Sequence, residues 1–257
     1  MDNEPEQIPP IIRIAGLTKR FEENVVLDGL DLEIRRGETL AVLGGSGSGK
    51  SVLLSLLVGL LEPDAGRIII DGQETTAFTH SSQWQEIRLK IGFLFQGSAL
   101  YDSLTIEENI SFILKHQSRL SAREIKQRVQ EKLRMVELEG IGSRMPMELS
   151  GGMQKRAALA RAIAYNPRIV FYDEPTTGLD PIRSKHISEL IVRLQKELRV
   201  TSIVVTHDLV CASIVANRLA MLYNGKFLFI GSPDEFRRCD EPYVREFLTA
   251  STHKCKC

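Results

Sequence analysis

The sequence predicts an α/β fold with a mostly parallel core sheet and a helical insert in its middle. Three observations predict it. Continuous apolar runs such as TLAVLG, RIVFYDE and TSIVVTH read as strands covered on both faces. Loops and helical patterns follow these runs in alternation, the mark of strand–loop–helix units. From about Gly97 to Leu149 strand signals vanish, and Ile, Leu and Val recur at three- and four-residue spacing between Thr105 and about Glu139.

The elements follow in order. Residues 1–10, MDNEPEQIPP, are acidic and proline-rich with no apolar core, so they read as a disordered lead-in and not as a secretory signal. IIRIAGLTKRF (Ile11–Phe21) and VVLDGLDLEIRRGETLAVLG (Val25–Gly44) read as strands, broken by turns at Asp28-Gly29 and Arg36-Gly37. A helix is expected from Lys50 to about Leu60. GRIIIDGQ is a strand ended by the Asp71-Gly72 turn, and Ile91–Gln96 is a short buried strand. After Asn166-Pro167 come the strand RIVFYDE, the helix PIRSKHISELIVRLQKEL and the strand TSIVVTH. ASIVANRL then reads as helical, LAMLYNGKFLFIG as a hairpin turning at Asn224-Gly225, and Glu241–Ala250 as a last helix.

Composition narrows the function. With 257 residues, 43% hydrophobic and 26% charged, the chain suits one large globular domain. Its 33 basic residues balance 33 acidic ones, which removes any net attraction to nucleic acid. The longest apolar run, Val52–Leu61, falls far short of the ~20 residues a bilayer needs. Cys211, Cys239, Cys255 and Cys257 show no framework spacing, so a reducing, cytoplasmic setting is expected. His253, Cys255 and Cys257 cluster in the tail, as a metal site or as free thiols of a disordered end.

GGSGSGKS, residues Gly44, Gly45, Ser46, Gly47, Ser48, Gly49, Lys50 and Ser51, stands between an apolar strand and a helix. Glycines let successive backbone N–H groups converge on phosphate oxygens, and the helix N-terminus adds partial positive charge. Lys50 would reach the β/γ-phosphates, and the Ser51 hydroxyl would sit on Mg²⁺. A flexible linker would need neither the strand nor the helix. At the end of RIVFYDEP, Asp173 is placed to hold Mg²⁺ and Glu174 to polarise an attacking water; a simple turn before the next helix is the plainer alternative.

The run LSGGMQKRAALAR raises a question, because two glycines open a strongly helical stretch at roughly 1 kcal/mol each relative to alanine. Locally, Ser150 reads as a cap and Gly151-Gly152 as a turn. With the phosphate loop upstream and VFYDEPTTGLDP downstream, the constellation resembles an ABC-type ATPase from about Ile11 to Ile230. The resemblance implies an antiparallel β subdomain beside the parallel sheet, an ATPase domain over 11–232 with a helical subdomain at about 97–149, and a C-terminal helix and tail over 233–257. It further implies a head-to-tail dimer with a second copy, in which Ser150, Gly151 and Gly152 close on the γ-phosphate held by the partner. Phe21 would stack on adenine, or be a buried strand-end aromatic. Gln96 would touch Mg²⁺ and the attacking water, Asp180 would stand at the dimer interface, and His207 would contact the γ-phosphate. ATP hydrolysis with Mg²⁺ is expected.

Met153 and FQGSALYDSLTIEENI (Phe95–Ile110) resemble the ATPase of Mce/Mla-type lipid transport systems. Those systems move phospholipid or related lipids between inner and outer membranes. The resemblance implies a multi-pass permease, a periplasmic Mce-domain lipid-binding protein and a small accessory subunit as partners. It implies a peripheral seat on the cytoplasmic face of the inner membrane. The alternative is the ATPase of a small polar solute importer, of the amino-acid type. An ABC ATPase acting on ribosomes or DNA fits poorly with one cassette and no excess of positive charge.

Overall fold

The computed structural model describes residues 9–117 and 119–253. Most of the lead-in, together with Cys255 and Cys257 of the tail, lies outside the described residues. Two sheets organise the rest. Strands β1 (Ile12–Phe21), β2 (Asn24–Ile34), β4 (Ala65–Ile70) and β5 (Gln73–Glu74) form an antiparallel sheet in the order β2-β1-β4-β5. Strands β3 (Thr39–Leu43), β6 (Ile91–Leu94), β7 (Ile169–Asp173), β8 (Thr201–Thr206), β9 (Arg218–Tyr223) and β10 (Lys226–Gly231) form the second, ordered β10-β9-β3-β8-β7-β6. Its neighbours run parallel except β10, which pairs antiparallel with β9 at one edge.

Strand alternation divides the core. In β3, Leu40 and Val42 face one apolar cluster while Ala41 and Leu43 face the other; Ile203 and Val204 of β8, and Phe171 and Tyr172 of β7, divide the same way. One cluster fills the space between the two sheets around α1 (Lys50–Leu57). The other joins α5 (Gly151–Ala162), α6 (Pro181–Leu198) and α7 (Leu209–Val215) to the sheet. Ile110 of α3 (Ile106–Gln117) and Leu133 of α4 (Ala122–Met135) belong to that same cluster, so these two helices share its core.

Several expected elements differ. No turn forms at Asp28-Gly29: β2 runs through it, and the positive φ of Gly29 (64°) is absorbed within an irregular β1–β2 ladder. Helix α1 stops at Leu57, because Gly59 turns left-handed (φ 65°), and Leu60 is exposed. Strand β6 ends at Leu94, two residues before Gln96. Helix α7 begins at Leu209, capped by Asp208, and Arg218 already belongs to β9. Two helices were not expected, α2 (Ser81–Leu89) and α8 (Pro233–Arg238), while α9 runs over Pro242–His253. Among the described residues no helix is long and apolar enough to cross a membrane.

One carboxylate ties distant segments together beneath the sheet. Asp71, in the β4–β5 turn, pairs with Arg36 (2.8 Å), Lys90 (2.9 Å) and Arg168 (2.8 Å). Despite the burial that opposes its ionisation, hydrogen bonds from Lys90 and Arg36 and the charge of Arg168 hold its carboxyl at about 2. A depressed folded-state value means the contribution is complete above the unfolded value near 4 and is lost as pH falls toward 2. Replacing Asp71 with Asn, which tolerates the same left-handed backbone, should therefore cost about 1–3 kcal/mol at neutral pH. The variant and the parent should converge in stability only as pH falls to about 2, as read by urea unfolding across pH.

Candidate active site

The C-terminal ends of β3, β7 and β8 are aligned by register, with Leu43 opposite Thr206 and Asp173 opposite Val205. Three chemistry-bearing segments therefore leave the sheet side by side: the phosphate loop after Leu43, the acidic pair at Asp173-Glu174, and His207 after Thr206. Open parallel sheets bind ligands at this end.

The loop from Gly44 to Ser51 wraps its own lysine. Lys50 is 6% exposed, and its Nζ donates to the carbonyls of Gly44 (2.9 Å) and Gly45 (2.8 Å). Burial lowers its pKa, against the charges of Glu174 and Asp173. Gly49 caps α1 with φ 99°, a left-handed conformation that disfavours side chains. At Gly44 the constraint is space: a Cβ would stand 2.5 Å from the Leu222 carbonyl and 2.5 Å from Ser48 Oγ. Ser46 and Gly47 are exposed at the tip. Ser48 Oγ is buried without a hydrogen-bond partner, as suits a cradle whose remaining donors face an anion.

The acidic pair splits in two directions. Asp173 Oδ1 accepts from the Ser51 hydroxyl at 3.0 Å. Burial pushes the Asp173 carboxyl up, opposed by the Ser51 hydrogen bond; the Glu174 charge adds to the rise and Lys50 and Lys155 counter it. Glu174 is 8% exposed and left-handed (φ 49°), an unusual backbone for a non-glycine residue. Its Oε2 accepts from Thr177 (3.2 Å) and Thr206 (3.2 Å) and lies 2.9 Å from His207 Nδ1. Lys50 Nζ stands 3.9 Å from Oε1. One oxygen is thus saturated by the protein and the other faces the phosphate loop. This arrangement holds hard oxygen ligands (Ser51, Asp173) beside a buried cation and a positioned carboxylate–imidazole pair, which fits Mg²⁺ as well as phosphate.

The remaining expected residues lie around this centre. Phe21 ends β1 at 44% exposure with Lys19 Nζ 5.4 Å above its ring, so it is not a buried strand end. Gln96 is exposed, and its carbonyl accepts from Lys155 of α5. Ser150 caps α5, its hydroxyl accepting from Met153 N at 3.4 Å. Gly151 is exposed and Gly152 buried, yet a Cβ at either would meet nothing closer than 3.7 Å. Asp180 caps α6 through the amides of Ile182 (3.1 Å) and Arg183 (3.0 Å). Sequence reasoning missed Thr177 and Thr206, the two hydroxyls that orient Glu174, and Lys155. The spacing of Thr177, three residues after Glu174, was the available signal.

Fold and site together define a phosphate-loop ATPase cassette. The chain belongs to the ABC transporter family, which matches residues 27–177. It is an ATP-binding subunit whose ATP hydrolysis is coupled to transport. It is 39% identical over 237 residues to the probable ribonucleotide transport ATP-binding protein mkl of Mycobacterium leprae, covering 92% of this chain and 68% of that one. With the sulfate/thiosulfate import ATP-binding protein CysA of Caulobacter vibrioides it shares 41% identity, covering 90% of this chain and 67% of that one. With the intermembrane phospholipid transport system ATP-binding protein MlaF of Haemophilus influenzae it shares 37% identity, covering 93% of this chain and 90% of that one. The dimeric, post-hydrolysis structure of the ATP-binding cassette MJ0796 bound to ADP and Pi superposes with a TM-score of 0.78 at 35% identity, covering 86% of this chain and 98% of that one.

The two kinds of glycine should respond differently to a methyl group. Gly44→Ala forces the loop apart and should lower ATP affinity by about tenfold or more, the equivalent of 1.4 kcal/mol. Gly151→Ala, with open space around it, should leave the affinity of the isolated subunit unchanged. Fluorescent-nucleotide titration of both variants checks this pair of outcomes.

Proposed function

We propose that this chain powers the movement of phospholipid or related lipids between inner and outer membranes, as one of two copies beneath a multi-pass permease. The observation that carries the cargo is the 37% identity over 238 residues to MlaF, a protein named for intermembrane phospholipid transport. The resemblance of Phe95–Ile110 to the lipid-transport ATPases points the same way. CysA, named for sulfate and thiosulfate import, supports a small-solute importer as the second reading.

In the proposed cycle, each copy holds ATP on its phosphate loop, with Phe21 against adenine and Lys50 on the β/γ-phosphates. Mg²⁺, held by Ser51, Asp173 and Gln96, would neutralise phosphate charge. Ser150, Gly151 and Gly152 close on the nucleotide of the second copy, and Asp180 lies at the joint. The roomy surroundings of both glycines support this: their bareness has no cause in the chain's own packing. Glu174 orients the attacking water through Oε1 while Thr177, Thr206 and His207 hold Oε2. A groove of about 410 Å³, lined by Phe95, Tyr101 and Phe112 beside the Gln96 loop, suits an apolar permease segment. A periplasmic Mce-domain protein and a small accessory subunit complete the assembly.

Glu174→Gln should keep ATP binding, lower turnover by about 100-fold or more and accumulate a dimer in size-exclusion chromatography with ATP. Normal turnover in that variant would place the base elsewhere. Ser150→Arg should abolish dimer formation while the affinity of the monomer for ATP stays within about twofold. For the cargo, the protein is purified with its membrane partners in mild detergent. Phospholipid enriched over a detergent control, with an Mce-domain protein, supports the lipid reading; a solute-binding protein without lipid moves the assignment to the importer.

A further inference from the structure

The loop after Gln96 follows a costly path. Ser98 (φ 64°) and Ala99 (φ 49°) are consecutive left-handed residues, and neither is glycine. Such a conformation persists only where its surroundings over-determine it. Here the surroundings are two cations of one helix. Lys155 of α5 is 5% exposed and donates to the Gln96 carbonyl. Arg161, near the other end of the same helix, donates to the carbonyls of Ser98 (2.8 Å) and Ala99 (2.5 Å). Ser98 is itself buried, and its amide closes the turn on Phe95 O at 2.9 Å. Burial lowers the Lys155 pKa, and the charges of Asp173 and Glu174 work against that shift.

We propose that Lys155 and Arg161 are positioning residues that clamp the Gln96 loop to α5, so that the helix headed by Ser150-Gly151-Gly152 sets where Gln96 stands. The inference rests on the proposed role of Gln96 and deepens it. When α5 is drawn toward the second copy's nucleotide, the captured carbonyls move with it. The groove wall formed by Phe95 and Tyr101 follows, because both flank the clamped residues. Helix α5, Gln96 and the groove beside it are thereby joined through three carbonyls and two side chains.

The test compares Lys155→Met, which keeps length and apolar stem, with Lys155→Arg, which restores a cation. Two readouts are used: steady-state ATPase kinetics of the full-length protein, and hydrogen exchange of the Ser98 amide in the protein without nucleotide. Lys155→Met should lower kcat by about tenfold with KM for ATP within about twofold, and should speed exchange at Ser98; Lys155→Arg should recover both. Unchanged exchange and kcat in Lys155→Met would overturn the clamp. So would a lowered melting temperature with normal kcat, since that marks a merely structural lysine. If Lys155→Met does not fold, Lys155→Gln carries the same comparison. Glu174→Gln run alongside separates the two ideas: its normal turnover refutes the proposed catalytic centre, whereas Ser98 exchange reports on the clamp regardless of turnover.

Discussion

Two carboxylates and two ammonium groups share the space above the ends of β3, β7 and β8, and their mutual balance constrains everything around them. Burial works against three of these charges: it lowers the pKa of Lys50 and Lys155 and raises that of Asp173. Together the opposite charges offset that cost, provided each head group stays in place. The fold supplies the fixity. Both carboxylates come from the end of one strand of the sheet, one lysine opens α1 and the other lies in α5, and the two helices pack on that sheet. Apolar strands covered on both faces are therefore a condition of the electrostatics, because a mobile sheet edge would let water dissolve the cluster.

Adjacent strand residues point to opposite faces, and this simple rule gives the two carboxylates separate tasks. Asp173 keeps the strand's last regular position and meets Ser51; Glu174 leaves the strand with a left-handed turn and meets Thr206 and His207 across the neighbouring strand end. The Glu174 amide still donates to the Val205 carbonyl of β8 (2.9 Å), so the left-handed turn redirects the residue while it stays beside that strand. The strained backbone at Glu174 thus has a geometric purpose, and hydrogen bonds from Thr177, Thr206 and the imidazole hold it.

Much of this was legible in sequence because it rests on local rules. Continuous apolar runs marked β3, β7 and β8, and Asn224-Gly225 marked a two-residue hairpin whose residues both have positive φ. What escaped was either weakly patterned or long-range. Helix α2 is polar on average, with Trp84, Ile87 and Leu89 its apolar residues; Trp84 packs on Gly59, a residue far away in sequence. Helix α8 was readable in principle, from Ser232 with Pro233 and Glu235 in a capping box. Asp28-Gly29 misled because a dipeptide that favours turns also suits an irregular ladder. The Asp71 node and the clamp of Lys155 and Arg161 join residues 19 to 97 positions apart, which no local pattern reveals.

The arrangement of α5 bears on why such a cassette would act in pairs. Within one chain the helix fixes the Gln96 loop firmly at Lys155 and Arg161, yet its own N-terminus, with Ser150 and Gly151 exposed, makes no contact that glycine is needed for. A helix start carries unsatisfied amides and partial positive charge, and an anion is its natural complement. In the proposed reading the phosphate loop of the same chain supplies donors to its own nucleotide. In the proposed dimer the exposed start of α5 meets the second copy's phosphate while its buried flank holds the first copy's glutamine loop. One rigid helix would then touch both nucleotides, making each site sensitive to whether the other is filled without any further moving part.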